Sequence, residues 1–423
     1  MGKKVLVIGS GGREHAIVDA LSRSPQVSKI YCAPGNAGIG LQAENVPIKD
    51  NDVEGLKAFA LANGIDLTVV GPEVSLAAGV VDAFRAEGLV IFGHTKSATR
   101  IESSKEFAKE LMCKYGIPTA SYRSFSSYDE ALEYVSGRPF PAVLKYDGLA
   151  AGKGVVIAND LEEAREALAS MLLEGEFGQG KVVVEDFLTG PEFSFMCFVS
   201  GTDIVPMPLA QDHKRAFDGD EGPNTGGMGA YTGLPFITDA DRAFAVDHIL
   251  RPVAEAMVAE GCPLTGVLYG GLMKTPDGIK VIEFNARFGD PETEVVLPLL
   301  KTDIYDLFYA VATGAPLPEA QWSDEVMLGV VLASKGYPGS YAKGFAIEGW
   351  READAHVVHM GTAFRPDGTL VTAGGRVMMV VAGGGSVQEA QRKVYAAVDG
   401  IRCENLFHRN DIAHCALEST IND

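Results

Sequence analysis

What this sequence lacks narrows it first. No apolar run is long enough to span a bilayer, so no membrane helix is expected. The six cysteines, at positions 32, 113, 197, 262, 403 and 415, form no Cys-x-x-Cys pair. That pattern gives no zinc signal and suits reduced thiols in a cytoplasmic protein. Positive charge is in deficit, with 36 lysines and arginines against 56 acids and a formal net charge of −20. Bulk attraction to nucleic acid or to an anionic membrane is therefore not expected. An anionic ligand would have to be held by locally placed cations and backbone N–H groups. The start of the chain, MGKKVLVIGS, enters a strand at once and offers no small-residue cleavage site, so no signal peptide is expected. Internal repeats and low-complexity linkers are also missing.

Two common nucleotide signatures are absent as well. The spacing GxxxxGK[ST] does not occur, which excludes a Walker A loop. Gly9-x-Gly11 follows the first apolar run, but the third glycine position is Glu14. The second strand ends in Ala33-Pro34-Gly35 with no acid for a ribose hydroxyl. A nicotinamide-linked oxidoreductase is thus a poor reading. A phosphate on the N–H groups of Gly11, Gly12 and Arg13, at a helix start, stays open beside a plain strand-to-helix turn.

What is present is a chain of 423 residues, 47% hydrophobic and 22% charged, with room for two to four domains. Residues 1 to about 100 alternate strands and helices. Lys4–Ile8, Ile30–Ala33, Leu67–Val70 and Val90–Phe92 are predicted as parallel strands of an open α/β sheet. Their turns should converge at the carboxyl edge, so that Gly9–Arg13, Pro34–Gly38 and Gly71–Glu73 line one crevice. Ser103-x-x-Glu106 is read as a capping box opening a helix to about Lys114, stopped by Gly116-Ile117-Pro118. Residues of about 119–190 read as a small α+β lid, with a helix opened by Asp160 and a strand Val182–Glu185. Thr238-x-x-Asp241 opens a further helix with a core stripe of Val246, Ile249, Leu250, Val253 and Met257. Leu268–Met273 and Ile279–Asn285 form a hairpin. From about 326, short strands and a closing helix near Val387–Val398 suggest a separate C-terminal α+β domain.

The stretch Val143 to Ile157, VLKYDGLAAGKGVVI, reads as a hairpin whose tip carries Lys145 and Lys153. Gly148, Gly152 and Gly154 allow close backbone approach to a ligand. Alone this equally describes a flexible turn with solvated lysines. Glu185-Asp186-Phe187-Leu188 suits an adenine site, or an ordinary buried strand end. In Ile279–Asn285 alternation places Val281, Glu283 and Asn285 on one face. Glu283 and Asn285 would be hard oxygen ligands for a divalent ion, and Arg287 just beyond could hold a carboxylate or a phosphoryl group. Asp290 and Glu292 add acids to that loop. Asp212-His213-Lys214-Arg215 stands before the glycine-rich GPNTGGMGAY and suggests an anion-binding edge. The lone His213 is read as structural rather than as a base.

The motifs GGREHA at 11–16, APGNAG at 33–38, VGPE at 70–73 and DGLAAGKGV at 147–155 carry a family resemblance. So do QDHKR at 211–215, GPNTGGMGAY at 222–231 and EFNARFGDPETE at 283–294. Over essentially its whole length the chain resembles the phosphoribosylamine–glycine ligases of the ATP-grasp superfamily. That resemblance implies a reaction of ATP, glycine and 5-phosphoribosylamine through a glycyl phosphate, in de novo purine synthesis. It implies an N-terminal substrate domain at 1–102, an ATP-grasp domain at 103–325 and a C-terminal domain at 326–423. Position by position, Lys105 and Lys145 look like the ATP-phosphate lysines, and Gly148 to Gly154, with Gly152 and Lys153, like the closing loop. Glu185, Phe187 and Leu188 look like the adenine edge and Glu192 like the ribose acceptor. Glu283 and Asn285 look like ligands of Mg²⁺ or Mn²⁺. Asp212, Lys214, Arg215 and Arg287 look like the glycine and phosphate side, and Gly11, Gly12, Arg13, Asn36 and Glu73 would meet phosphoribosylamine. The family suggests a monomer or a weak homodimer, and an end near 423 suggests the stand-alone enzyme. Tyr146, His94, Ala286 and Thr232-Gly233 depart from the expected pattern. The alternatives left open are another ATP-grasp carboxylate–amine ligase, such as an aminoimidazole ribonucleotide carboxylase, and a nucleotide-binding protein without activity.

Overall fold

The computed structural model describes residues 2–149, 154–174 and 180–419; Gly152 and Lys153 of the expected closing loop lie outside them. The N-terminal sheet is parallel throughout. Its order is Glu44–Asn45, Val27–Pro34, Lys3–Gly9, Leu67–Val70, Ile91–Phe92. Lys3–Gly9 is central, and its run of apolar residues is buried on both faces, as a parallel strand between helices requires. Alternation splits that run. Val5 and Val7 pack with Ile17 and Leu21 of the helix Gly12–Ser22. Leu6 and Ile8 pack with Leu56, Val80 and Phe84 on the other side. The carboxyl ends of these strands therefore present their turns along one edge.

The helix expected from Ser103 starts one residue later. It spans Lys105–Tyr115, and Ser104, not Ser103, accepts the N–H of Phe107. Ser103 closes the preceding turn Arg100–Ser103 instead. Two adjacent serines make the cap ambiguous in sequence; the chain direction entering the helix decides it. Gly116, at φ +68°, ends the helix in the left-handed conformation.

Residues 122–186 contain an antiparallel sheet of order Tyr122–Phe125, Val182–Asp186, Ala142–Tyr146, Val155–Ala158. Its own small core includes Ala131, Leu144, Leu168 and Val184. The predicted hairpin is present, with Lys145 opposite Val155. The departure Tyr146 is buried, and its ring lies where side chains at Gly148 and Gly180 would have to stand.

The largest sheet runs Gly278–Asn285, Thr265–Thr275, Glu192–Ser200, Ala210–Asp212, Gly229–Thr232, Val326–Ser334, Arg376–Gly384, His356–His359. The strands expected beyond 326 are present and join this sheet. Val326–Ser334 pairs antiparallel with Gly229–Thr232 and continues the sheet. The pairing joins segments far apart in the chain, which no local pattern announces. The closing helix spans Val387–Val398 as expected. His94 ties the first sheet to the second. Its Nε2 donates to the Val267 carbonyl at 2.8 Å, and its Nδ1 accepts the Thr265 N–H at 2.9 Å.

Candidate active site

The strand Gly278–Asn285 departs from simple alternation. Glu283 stands opposite Gly271 but Val281 opposite Leu272, so Ile282 is an extra residue, a β-bulge. The bulge turns Val281 into the core beside Phe284, and the expected shared face holds only Glu283 and Asn285. It also aims the Ile282 carbonyl at Lys145, whose Nζ donates to it at 2.8 Å.

Cations from three elements surround Glu283. Lys105 comes from the start of the helix Lys105–Tyr115, Lys145 from the hairpin and Lys214 from the turn after Ala210–Asp212. Burial would raise the Glu283 carboxyl, but Lys214, Lys145, Lys105 and Arg287 outweigh it and hold the pKa below the ordinary value. Lys105 itself is lowered by burial and donates to the Gly148 carbonyl at 2.7 Å. Between these groups lies a space of about 30 Å³ bounded by Lys105, Lys109, Lys145, Glu185 and Asn285. That is room for about one or two water molecules.

Glu185 is not free to read a base with its side chain. Lys145 and Lys109 hold its two oxygens at 2.9 and 2.8 Å, and all three residues are buried. Lys109 was missed from sequence, although it stands one helical turn beyond Lys105 on the same face. Burial lowers its pKa to about 8, against the pull of Glu185. Phe187 is exposed and Leu188 half-buried just past this strand. Glu192 accepts from Lys214 at 2.8 Å.

Asp212 and Lys214 face the cluster together. Burial, opposed by Lys214 and reinforced by Glu292 and Glu192, pushes Asp212 up to about 7. His213 points the other way, and its Nε2 accepts the Ala413 N–H. Burial and then Arg409 push its pKa down to about 3, which keeps the ring neutral and fits a structural role. Arg215 does not join the cluster. It is exposed and donates to the Gly222 carbonyl at 2.7 Å within the strand pair Arg215–Phe217 and Glu221–Asn224, which turns it away.

The crevice at the edge of the N-terminal sheet meets this site through Arg287. Its guanidinium stands 3.2 Å from Glu73 and 3.2 Å from Glu102. Burial works against its charge, but Glu102 and Glu73 hold the pKa above the ordinary value. Glu102 was not visible in sequence, because no motif surrounds it. Burial raises its own pKa, and it accepts the Ala286 N–H at 2.7 Å. Arg13 is buried, bound to Glu14 at 2.6 Å and to the Phe288 carbonyl at 3.2 Å. Two expected groups are already engaged. The Gly11 N–H donates to Glu14 at 2.7 Å. The Asn36 amide spans the Ser10 and His359 carbonyls and accepts from Ile39, so it braces the loops. Gly12 begins the helix Gly12–Ser22 directly behind them. Among the described residues no group of three or more His, Cys, Asp or Glu side chains could hold a metal by itself. Glu283 with Asn285 nevertheless fits Mg²⁺, which takes one or two protein oxygens and the rest from phosphate and water.

Family models for phosphoribosylglycinamide synthetase match along the chain: the N domain at 3–102, the ATP-grasp (A) domain at 103–293 and the C domain at 327–415. A phosphoribosylamine–glycine ligase of Halalkalibacterium halodurans is 52% identical over 417 residues, covering 98% of this chain and 97% of its own length. The crystal structure of phosphoribosylamine–glycine ligase from Thermotoga maritima superposes with a TM-score of 0.84 at 33% identity, over 97% of this chain and 100% of that one. The biotin carboxylase domain of a Hydrogenobacter thermophilus 2-oxoglutarate carboxylase, solved with MgADP and bicarbonate, gives a TM-score of 0.72 at 15% identity. It covers 96% of this chain and 92% of its own, and shows the fold alone. The chain belongs to the phosphoribosylamine–glycine ligase family, the ATP-grasp enzymes of de novo purine biosynthesis.

Proposed function

We propose that the chain ligates glycine to 5-phosphoribosylamine through a glycyl phosphate, with the residue roles that follow. The observation that carries this reading is that Lys105 and Lys145 line one small space with Glu283 and, with Lys214 and Arg287, hold its carboxyl below the ordinary value. A glycine carboxylate and the γ-phosphate of ATP repel one another, so their meeting needs such preplaced charge. Lys105 and Lys145 bind the phosphates, and backbone groups at 185–188 receive the adenine between Phe187 and Leu188. Glu192 takes the ribose hydroxyls once Lys214 turns to substrate. Glu283 and Asn285 would hold Mg²⁺ or Mn²⁺, which when bound offsets phosphate charge. Arg287 orients the glycine carboxylate, and Asp212 with Lys214 completes its pocket.

The carboxylate oxygen attacks the γ-phosphorus and ADP leaves. The sugar amine then attacks the carbonyl carbon and phosphate leaves. The small space beside Glu185 means that the sheet of residues 122–186 must shift for a nucleotide to enter. Its hairpin then covers the acyl phosphate against water. Residues 1–102 receive phosphoribosylamine, with its phosphate on the Gly12 and Arg13 amides and its sugar near Glu73. Residues 103–325 bind ATP, and 326–423 close the site from behind. The protein acts on free small molecules in the cytoplasm, as a monomer or weak homodimer. No helix among the described residues is long and apolar enough to cross a membrane.

The test is ADP release with ATP, Mg²⁺, glycine and phosphoribosylamine generated in situ, omitting each in turn. Release should need both glycine and the sugar amine. Release with another carboxylate, or without the amine, would point to a different ligase chemistry on the same fold.

A further inference from the structure

His213 has no part in the steps above, yet it stands between two residues that do. Its ring is buried beside Tyr231 and His414. Its Nε2 accepts the Ala413 N–H at 3.2 Å, and its Nδ1 meets no hydrogen-bond partner among the described residues. One residue beyond Lys214, the Arg215 carbonyl accepts from Nη1 of Arg409 at 3.2 Å. Lys214 is thus bracketed on both sides by one segment from far along the chain. Arg409 is wholly buried. Its Nε and Nη2 donate to the two oxygens of Asp411 at 2.7 and 2.8 Å, and Nη1 also reaches Asp220 at 2.8 Å. The turn Asp218–Asp220 is gripped again, because Asp218 accepts the Asn410 N–H and the Gly219 N–H donates to Asp411.

The backbone marks the same place independently. Among the described residues other than glycine, positive φ occurs at Asp220 (+55°) and Ala413 (+71°) alone. Aspartate tolerates that region, whereas alanine is strained there by its Cβ. Both residues stand in this junction, Asp220 on Arg409 and Ala413 on His213. Such conformations persist where the surroundings over-determine them, and they gather at functional sites. The segment is anchored in turn to the closing helix Val387–Val398. There the Tyr395 hydroxyl donates to the Arg409 carbonyl at 2.9 Å and accepts the Ile412 N–H at 3.1 Å. The Lys214 side chain, by contrast, is part-exposed, so the backbone that carries it sets its aim.

We propose that Arg409 is a positioning residue for the glycine pocket, fixing the backbone from which Asp212 and Lys214 project. The inference rests on the reading above that these two residues complete that pocket. Arg409 makes and breaks no bond of the reaction. It supplies a fixed main chain next to Lys214, where a displacement of about 1 Å in a charged group is costly to catalysis.

Steady-state kinetics with glycine and ATP varied in turn, beside urea unfolding, separate aim from stability. Arg409→Met keeps an apolar stem and loses the fork. It should lower kcat/KM for glycine about a hundredfold, while the ATP KM stays close to the parent's, since Lys105 and Lys145 stand on other elements. Asp220→Asn removes one anion at a residue type that still tolerates positive φ. It covers the case in which Arg409→Met does not fold, and should shift the glycine KM in the same direction by less. A lower urea midpoint with parental KM and kcat values in Arg409→Met would make the junction a stability device and overturn the proposal. An equal rise in the glycine and ATP KM values overturns it as well, as does a folded Asp220→Asn with parental kinetics. Lys214→Met tests the reading beneath it. Parental glycine KM and kcat in that variant would take Lys214 out of the pocket and the inference with it, whereas an impaired Lys214→Met beside an unimpaired Arg409→Met sinks the inference alone.

Discussion

Two acids on neighbouring parts of one segment, the half-buried Glu283 and the fully buried Glu294, end in opposite states. Glu283 lies among Lys214, Lys145, Lys105 and Arg287 and is held ionised. Glu294 faces Asp290, with Arg376 the cation nearby, and is held neutral. Burial pushes both pKa values upward, so burial does not decide the outcome. What stands opposite does. The lysines at Glu283 come from three separate elements, so its lowered pKa exists only when the hairpin, the helix Lys105–Tyr115 and the large sheet are assembled. Glu294 stands on the short helix Thr293–Val296, which packs on the helix Gly12–Ser22 and on the strands Val326–Ser334, Gly229–Thr232 and Arg376–Gly384. The charged region suits the handling of phosphates, the neutral one the holding of a proton.

The largest expected effect tests the charged side. Glu283→Ala should abolish ADP release while the circular dichroism spectrum stays native. Full turnover in that variant would take Glu283 out of the site and break the contrast. Next comes the support behind it. Lys109→Met strips one of two cations from the buried Glu185 carboxylate, and losing one partner of a buried pair costs about 4 kcal/mol. Urea unfolding measures it. An unchanged midpoint would mean that Lys145 alone satisfies Glu185.

Much of this architecture is legible in the sequence, for reasons that differ by residue. The strand Lys3–Gly9 and the helix Val387–Val398 announce themselves through local apolar periodicity. The lysines, Glu283, Asn285 and Arg287 stand out as chemistry-bearing types beside glycine-rich turns. What stays hidden is non-local. Nothing near Ile282 signals a bulge, because the extra residue is defined only by its register against Thr265–Thr275. Glu102 and Lys109 matter through partners far away in the chain, Arg287 and Glu185. Asn36 and Arg215 carry suitable side chains, yet packing gives their hydrogen bonds to loop carbonyls. The departure at His94, a family oddity in sequence, becomes a bond between two sheets.

His94 extends the contrast to a base kept neutral. Burial first, then Arg85, lowers its pKa to about 4 against the Val267 hydrogen bond. The folded value lies below the unfolded one of 6.5, so the stability it contributes is present above pH 6.5 and is lost as pH falls toward 4. Between pH 7 and pH 5 that amounts to about 2 kcal/mol. His94→Gln should shrink the pH dependence of the urea midpoint by that amount relative to the parent, in which other buried histidines add their own slope. An identical slope in the variant would mean that His94 titrates as it does in the unfolded chain.

The smallest effect is the sharpest comparison, because the same substitution should give different answers at the two acids. Glu294→Gln replaces a neutral carboxyl by a neutral amide of nearly equal volume. Its unfolding free energy near pH 7 should change by less than about 1 kcal/mol. Glu283→Gln removes an anion on which Lys214, Lys145, Lys105 and Arg287 act, and should cost more, about 3 kcal/mol, because those cations remain without it. Added phosphate should recover part of the Glu283→Gln loss, since an anion can stand in for the missing charge by binding the folded state. The two variants measured side by side across pH decide the matter. Equal costs at the two positions would mean that both acids are in the same ionisation state, and the distinction between a charged centre and a neutral flank would fall.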